Sequence, residues 1–192
     1  MPNVVKITNK IGSFTKTILV PGDKSLSIRW VLFSSLAKGV SKAKNLLMSE
    51  DVLAAIDAVK KLGIKVNINR KECKIYGKGI DGYKYKKNLT IDAQNSGTLG
   101  RLILGLLVNS QEPIKLVGDK SLSKRDFKRV SGPLSKFGAT FKLRSSNFLP
   151  LTIYGSSNLK PIKYNENKGS AQCKSSIIFA AMRTNGTTRI KA

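Results

Sequence analysis

Histidine is missing from all 192 residues of this chain. That excludes Ser-His-Asp hydrolysis, histidine-held zinc and every imidazole general base. Cysteine is nearly as scarce: Cys73 and Cys173 stand alone and far apart, neither a disulfide framework nor a metal-ligand cluster, so both read as reduced and buried. No apolar run approaches the roughly 18 residues of a membrane span, and the N-terminus has neither the apolar core nor the cleavage pattern of a signal sequence. No membrane association is expected, and a cytoplasmic location follows. The Gly-Lys-Ser/Thr ending of an NTPase phosphate loop is absent at the required spacing. Acidic residues are few, 11 against 35 lysines and arginines.

What remains is a chain with 41% hydrophobic residues, enough for a real core, and a formal charge of +24. Such a charge points to anionic partners, either small phosphates or a nucleic acid. The lysines run along almost the whole chain, so most belong to a solvated surface. Only 7% of residues are aromatic and they fall mostly at core positions. That leaves a basic nucleic-acid binder without stacking platforms, and no nucleic-acid partner is expected.

Hydrophobic periodicity repeats one order of elements: strand, helix, strand, helix, strand, strand. The fold class is therefore α/β in the α+β sense, built of βαβαββ units over about residues 17–77 and 89–154, with a partial third over 160–192. The first unit has a strand at Thr17 to Val20, a helix from about Ser25 that Gly39 ends, and a strand at Val40 to Leu46. A helix capped by Ser49 and closed by Gly63 follows, then strands at Ile64 to Ile68 and Lys74 to Tyr76. The second has a strand at Leu89 to Asp92, a strongly apolar helix from Ser96, and a strand at Ile114 to Val117. Its next helix carries Phe127, Val130, Leu134 and Phe137, kinked at Gly132-Pro133, before strands at Thr140 to Leu143 and Leu151 to Tyr154. The third unit runs through Ile162 to Tyr164, a helix from Ser170 to Met182, and Thr187 to Ile190. Ending on a strand without its covering partners implies truncation in the third unit. Gly77, Gly79 and Gly82 match a dinucleotide fingerprint in spacing, but a charged loop follows instead of a helix, so they read as a turn.

Two octets nearly coincide, Gly-Asp-Lys-Ser-Leu-Ser-Ile-Arg at 22 to 29 and Gly-Asp-Lys-Ser-Leu-Ser-Lys-Arg at 118 to 125. Four helix starts share one spacing: Ser25 with Arg29, Gly97 with Arg101, Ser121 with Arg125, and Ser170 with Lys174. Each sets a small residue at the helix mouth and a cation one turn on, where free amides and the helix dipole favour a phosphate or carboxylate.

With Asn-Ser-Gly-Thr-Leu-Gly-Arg at 95 to 101 and Ser-Ala-Gln-Cys-Lys-Ser at 170 to 175, these segments resemble the enolpyruvyl transferase family, on its shikimate 3-phosphate branch, across essentially the whole chain. The sister branch acting on UDP-N-acetylglucosamine fits the segment at 24 to 29 less well. The resemblance implies an inside-out α/β domain with helices inside and sheets outside. Residues 21–192 would form an incomplete N-terminal domain, and residues 1–20 would pair with an absent C-terminal domain. It implies Lys24, Ser25, Arg29, Ser170 and Gln172 at shikimate 3-phosphate, and Lys24, Gly97, Arg125 and Gln172 at phosphoenolpyruvate, with Lys24 the catalytic member. Ser121 and Lys174 are weaker candidates, while Asn95 and Arg101 would support the loop. No cofactor or metal is implied, and the full-length enzyme would be a monomer. Asp126 stands where the family usually has proline, and Ser96 where alanine is common; Asp126 could compete for Arg125 or cap the next helix.

Overall fold

The computed structural model describes residues 6, 8, 12–13, 15–70, 72–167 and 169–191. The first unit comprises α1 (Lys24–Leu36), β1 (Lys38–Ala43), α2 (Glu50–Lys61), β2 (Lys65–Ile68) and β3 (Cys73–Lys78). The second comprises β4 (Thr90–Asp92), α3 (Gly97–Leu106), β5 (Ile114–Val117), α4 (Lys128–Ser135), β6 (Thr140–Arg144) and β7 (Phe148–Tyr154). A third follows with β8 (Lys163–Asn165), α5 (Ala171–Ala181) and β9 (Arg189–Lys191).

The repeat read from periodicity is a repeat of topology. The complete second sheet has strand order β4-β5-β7-β6, its first pair parallel and the rest antiparallel. The first sheet, β1-β3-β2, is the same arrangement without the leading edge strand. The two-stranded parallel sheet β8-β9 reproduces the β4-β5 pair.

That missing edge corrects one expectation. Thr17 to Val20 is not a strand: Ile18, Leu19 and Val20 are 71%, 99% and 63% exposed, and no strand pairs with them among the described residues. A β-branched run needs a ladder partner to become a strand, and none is supplied here. Gly39 likewise does not end α1, which stops at Leu36 with Ala37 as its cap. Gly39 instead enters β1 with φ +99°.

Helices form the interior. All ten residues of α3 are buried, and it packs against α1, α2, α4 and α5. A helix apolar on every side can be stable only when surrounded. On β6 the exposed and half-buried positions alternate, leaving one face of that sheet to solvent. Small residues permit the tight α3–α5 crossing: a β-carbon on Gly105 would run into the carbonyl oxygen of Ser176, whose buried hydroxyl donates to the Arg101 carbonyl at 2.9 Å.

Helix α4 is shorter than its periodicity suggests. Phe127 occupies its N-cap position and Phe137 lies past its end, both fully buried, while Pro133 sits inside. Both cysteines are free and buried, as expected. Gly79 to Gly82 form the expected turn, closed by the Gly82 amide donating to the Gly79 carbonyl.

Candidate anion-binding site

The N-termini of α3 and α5 lie side by side. Ser96 caps α3 through its hydroxyl, which accepts from the Leu99 amide at 3.2 Å, and Ser170 caps α5 in the same way from Cys173 at 3.2 Å. The serine that departs from the family's usual alanine is thus the cap itself. Gln172, in the first turn of α5, accepts from Nη1 of Arg101 through Oε1 and donates to the Thr98 hydroxyl at 3.0 Å. The two helix tips are thereby fixed to each other.

Gly97 is the first residue of α3, and the space above it is bounded by guanidinium groups. A β-carbon there would lie 3.1 Å from Nη1 of Arg125 and 3.4 Å from Nη1 of Arg101. Arg125 donates to Asn95 Oδ1 at 3.3 Å; Asn95 in turn donates to Asp119 at 2.7 Å. Arg101 is 9% exposed, its Nε has no hydrogen-bond partner, and its guanidinium stands 5.6 Å over the Phe127 ring. Its pKa is lowered, first by burial and then by repulsion from Arg129 and Arg125. Arginines that repel one another beside a helix N-terminus create a local excess of positive potential, the electrostatic condition for holding an anion.

The octet at 118 to 125 behaves differently from what its spacing predicts. In both octets the cap is the aspartate, not the serine. Asp23 accepts from the Leu26 amide at 2.7 Å, and Asp119 accepts from the Leu122 amide at 2.6 Å. In both, the aspartate carbonyl then accepts from the amide four residues on, at 2.9 Å. The first octet continues into α1. The second stops after a single 3₁₀ turn over Leu122–Lys124, and Arg125 is extended. Ser121 therefore does not open an α-helix, and Arg125 reaches the site from an extended segment instead of from a helix face. The chain turns because Phe127 must be buried and its amide donates to the Asn147 carbonyl at 2.8 Å. Asp126 accepts from the Lys128 amide at 2.8 Å at the start of α4, and no ion pair joins it to Arg125 among the described residues.

Helix α1 joins the group along its length. Arg29 donates to the Ser175 hydroxyl of α5 at 3.2 Å and back to the Ser25 carbonyl at 3.2 Å. Lys24, at the tip of α1, is 52% exposed and pairs with Asp51 of α2 at 2.9 Å, so it does not touch the Gly97 cluster directly. Lys174, one turn past Ser170, donates its amide to the Ser170 carbonyl at 3.1 Å, and its side chain forms no ion pair among the described residues. Thr98 and Ser175 join the site without any spacing signal of their own. Both lie inside the quoted segments, but only the crossing of α3, α5 and α1 reveals their partners.

A sequence profile described as EPSP synthase (3-phosphoshikimate 1-carboxyvinyltransferase) matches residues 8–192. This chain belongs to the EPSP synthase family. Its relatives include the 3-phosphoshikimate 1-carboxyvinyltransferase of Streptococcus suis strain 98HAH33, 43% identical over 97% of this chain and 44% of that protein. The enzyme of the same name from Bacillus cytotoxicus is 41% identical over 91% of the chain and 41% of its own length. A solved structure of EPSP synthase from Acinetobacter baumannii superposes with a TM-score of 0.85 at 34% identity, covering 90% of this chain and 39% of that one. The chain thus spans less than half the length of these EPSP synthases, within the same inside-out α/β fold. No described helix is long and apolar enough to cross a membrane.

Proposed function

We propose that this chain supplies the part of an EPSP synthase that holds both anionic substrates, shikimate 3-phosphate and phosphoenolpyruvate. The observation that carries this reading is the close convergence of the Arg125 and Arg101 guanidinium groups on Gly97 at the tip of α3, within 3.1 and 3.4 Å of where a β-carbon would stand. A planar carboxylate or a phosphate there would receive both side-chain N–H groups and the unspent amides of the helix start. Phosphoenolpyruvate is assigned to that end, with Gly97, Arg125 and Gln172 as its contacts and Lys24 joining them on leaving Asp51. Shikimate 3-phosphate fits the side shared by α1 and α5, held by Lys24, Ser25, Arg29, Ser170 and Gln172.

The reaction of the whole enzyme adds the 5-hydroxyl oxygen to C2 of phosphoenolpyruvate while C3 gains a proton. Loss of that proton equivalent and of phosphate then restores the enol double bond. It needs no cofactor. It does need an acid and a base beside C2 and C3, and the carboxylates by the described cluster are already engaged: Asp51 pairs with Lys24, Asp23 and Asp119 accept from helix-start amides, and Asp126 accepts from the Lys128 amide. The acid and base therefore come from the part of the longer relatives that this chain does not match. Residues 21–192 act as part of an N-terminal domain; the pairing expected of residues 1–20 falls largely outside the described residues. The complete enzyme is a cytoplasmic monomer without nucleic-acid or membrane partners.

Calorimetric titration of the 192-residue chain tests this. Each substrate should bind saturably at low salt without phosphate release, and Gly97→Ala should weaken phosphoenolpyruvate roughly tenfold, equivalent to about 1.4 kcal/mol. Equal affinity of wild type and Gly97→Ala would overturn the placement, and steady phosphate release by the chain alone would overturn the assignment of acid and base elsewhere.

A further inference from the structure

At the opposite ends of the same central helices is a cavity of about 200 Å³, walled by Leu106 and Leu107 at the end of α3, by Tyr83 and Tyr85 from the segment between the first two units, and by Arg183 just after α5. With ten residues in α3, this cavity stands about 15 Å from the Gly97 end.

Its polar groups are not spent. The Arg183 side chain is only 2% exposed, yet its Nε and Nη2 have no hydrogen-bond partner; Nη1 alone is engaged, 3.4 Å from Asp81 Oδ1. Nε and Nη2 form one edge of the guanidinium, with two parallel N–H groups at the spacing of a carboxylate's oxygens. Tyr85 and Ser110, which line the same cavity, each carry a hydroxyl that is also buried without a partner. Tyr83 contributes its ring, 5.6 Å from the guanidinium carbon, its own hydroxyl being bonded to Ser35 at 2.7 Å. A buried cation with two idle donors beside two idle hydroxyls is costly unless something fills the space.

We propose that this cavity is a second binding site, for a small monocarboxylate with a compact apolar body, whose two oxygens pair with Nε and Nη2 of Arg183. The hydroxyls of Tyr85 and Ser110 donate to the same oxygens, and Leu106, Leu107 and the Tyr83 ring cover the apolar part. A monoanion is favoured over a phosphate dianion for two reasons. Asp81 already supplies one negative charge at the rim, and the adjoining ends of α3 and α5 are the negative poles of their dipoles. Burial also lowers the pKa of Arg183, opposed by Tyr83, Asp81 and Tyr85, as expected of a cation whose compensation is incomplete.

The test is a titration of the 192-residue chain with sodium benzoate, acetate and inorganic phosphate, followed by nuclear magnetic resonance of the Arg183 Nε–H and the Ser110 amide. Benzoate should shift both saturably, more tightly than acetate or phosphate. Arg183→Lys, which keeps the charge but loses the paired donors, should weaken benzoate roughly tenfold. Tyr85→Phe and Ser110→Ala remove only an unpaired hydroxyl, so they should fold normally and still weaken benzoate several-fold. Gly97→Ala should leave benzoate unchanged, which separates this site from the substrate-holding one. Phosphate binding more tightly than benzoate, unaltered benzoate affinity in Tyr85→Phe and Ser110→Ala, or a cavity whose Arg183 Nε–H reports only exchanging water at saturating benzoate would each overturn the proposal.

Discussion

Pro133 has no N–H to give to the carbonyl of Arg129, four residues earlier in α4. That carbonyl is met instead by the Cys173 thiol of α5, at 3.4 Å. The cysteine therefore serves as a donor between helices, and burial raises its pKa to about 11, which keeps it an inert thiol. Tyr83 is tuned in the same direction. Burial raises its pKa to about 12, opposed by the bond with Ser35 and by Arg183. The neutral phenol is the form the fold favours, so its contribution to stability is complete below the unfolded value near 10 and is lost as pH rises toward 12. Denaturation followed from pH 9 to 12 should show a decline that Tyr83→Phe removes, at a cost of about 1 kcal/mol at neutral pH from the lost hydrogen bond. A decline of the same size in the variant would assign it to another group.

Between elements, the contact that admits least change is the crossing of α3 and α5. Gly105 faces the backbone of Ser176, and a backbone carbonyl cannot rotate away as a side chain could. Gly105→Ala should cost at least about 2 kcal/mol of unfolding free energy despite alanine's better helix propensity, because the helices must separate. Since Gln172 and Thr98 tie the same two helices one end over, that separation should also weaken phosphoenolpyruvate binding. Chemical denaturation and the substrate titration would check both, and a variant as stable as wild type would contradict the packing. The element scale also shows how sequence similarity and structure can part. The two octets form the same aspartate-capped first turn, as their identity suggests, yet only one becomes an α-helix. The difference lies downstream, where Phe127 is drawn into the core and Asp126 accepts from the Lys128 amide at the start of α4.

For the whole molecule, +24 charges confined to 192 residues repel one another more strongly in the compact state than in the extended chain. Of five ion pairs among the described residues, most are substantially exposed, so they offset little of this. Raising sodium chloride from about 20 mM to about 200 mM shortens the screening length to under about 10 Å, and the melting temperature should rise. A fall would mean that the attractive pairs outweigh the repulsion.

Much of this architecture was readable without coordinates. The apolar period of α3 announced a broad apolar face and deep burial, Ile114–Val117 was visible as a strand to the residue, and the helix starts at about Ser96 and Ser170 were visible as well. Such features depend on neighbours within one or two turns, so the local sequence contains their cause. What it did not contain was partnership at long range. Thr17 to Val20 has strand composition but no ladder, Lys24 spends its charge on Asp51, and Arg125 arrives at Gly97 along an extended segment. The idle edge of Arg183 was equally invisible, because a side chain is buried and unpaired only once residues from three distant segments close around it. Propensity and capping act over a few residues and are written in order along the chain; burial, convergence of charges and the filling of space arise only when the chain folds back on itself.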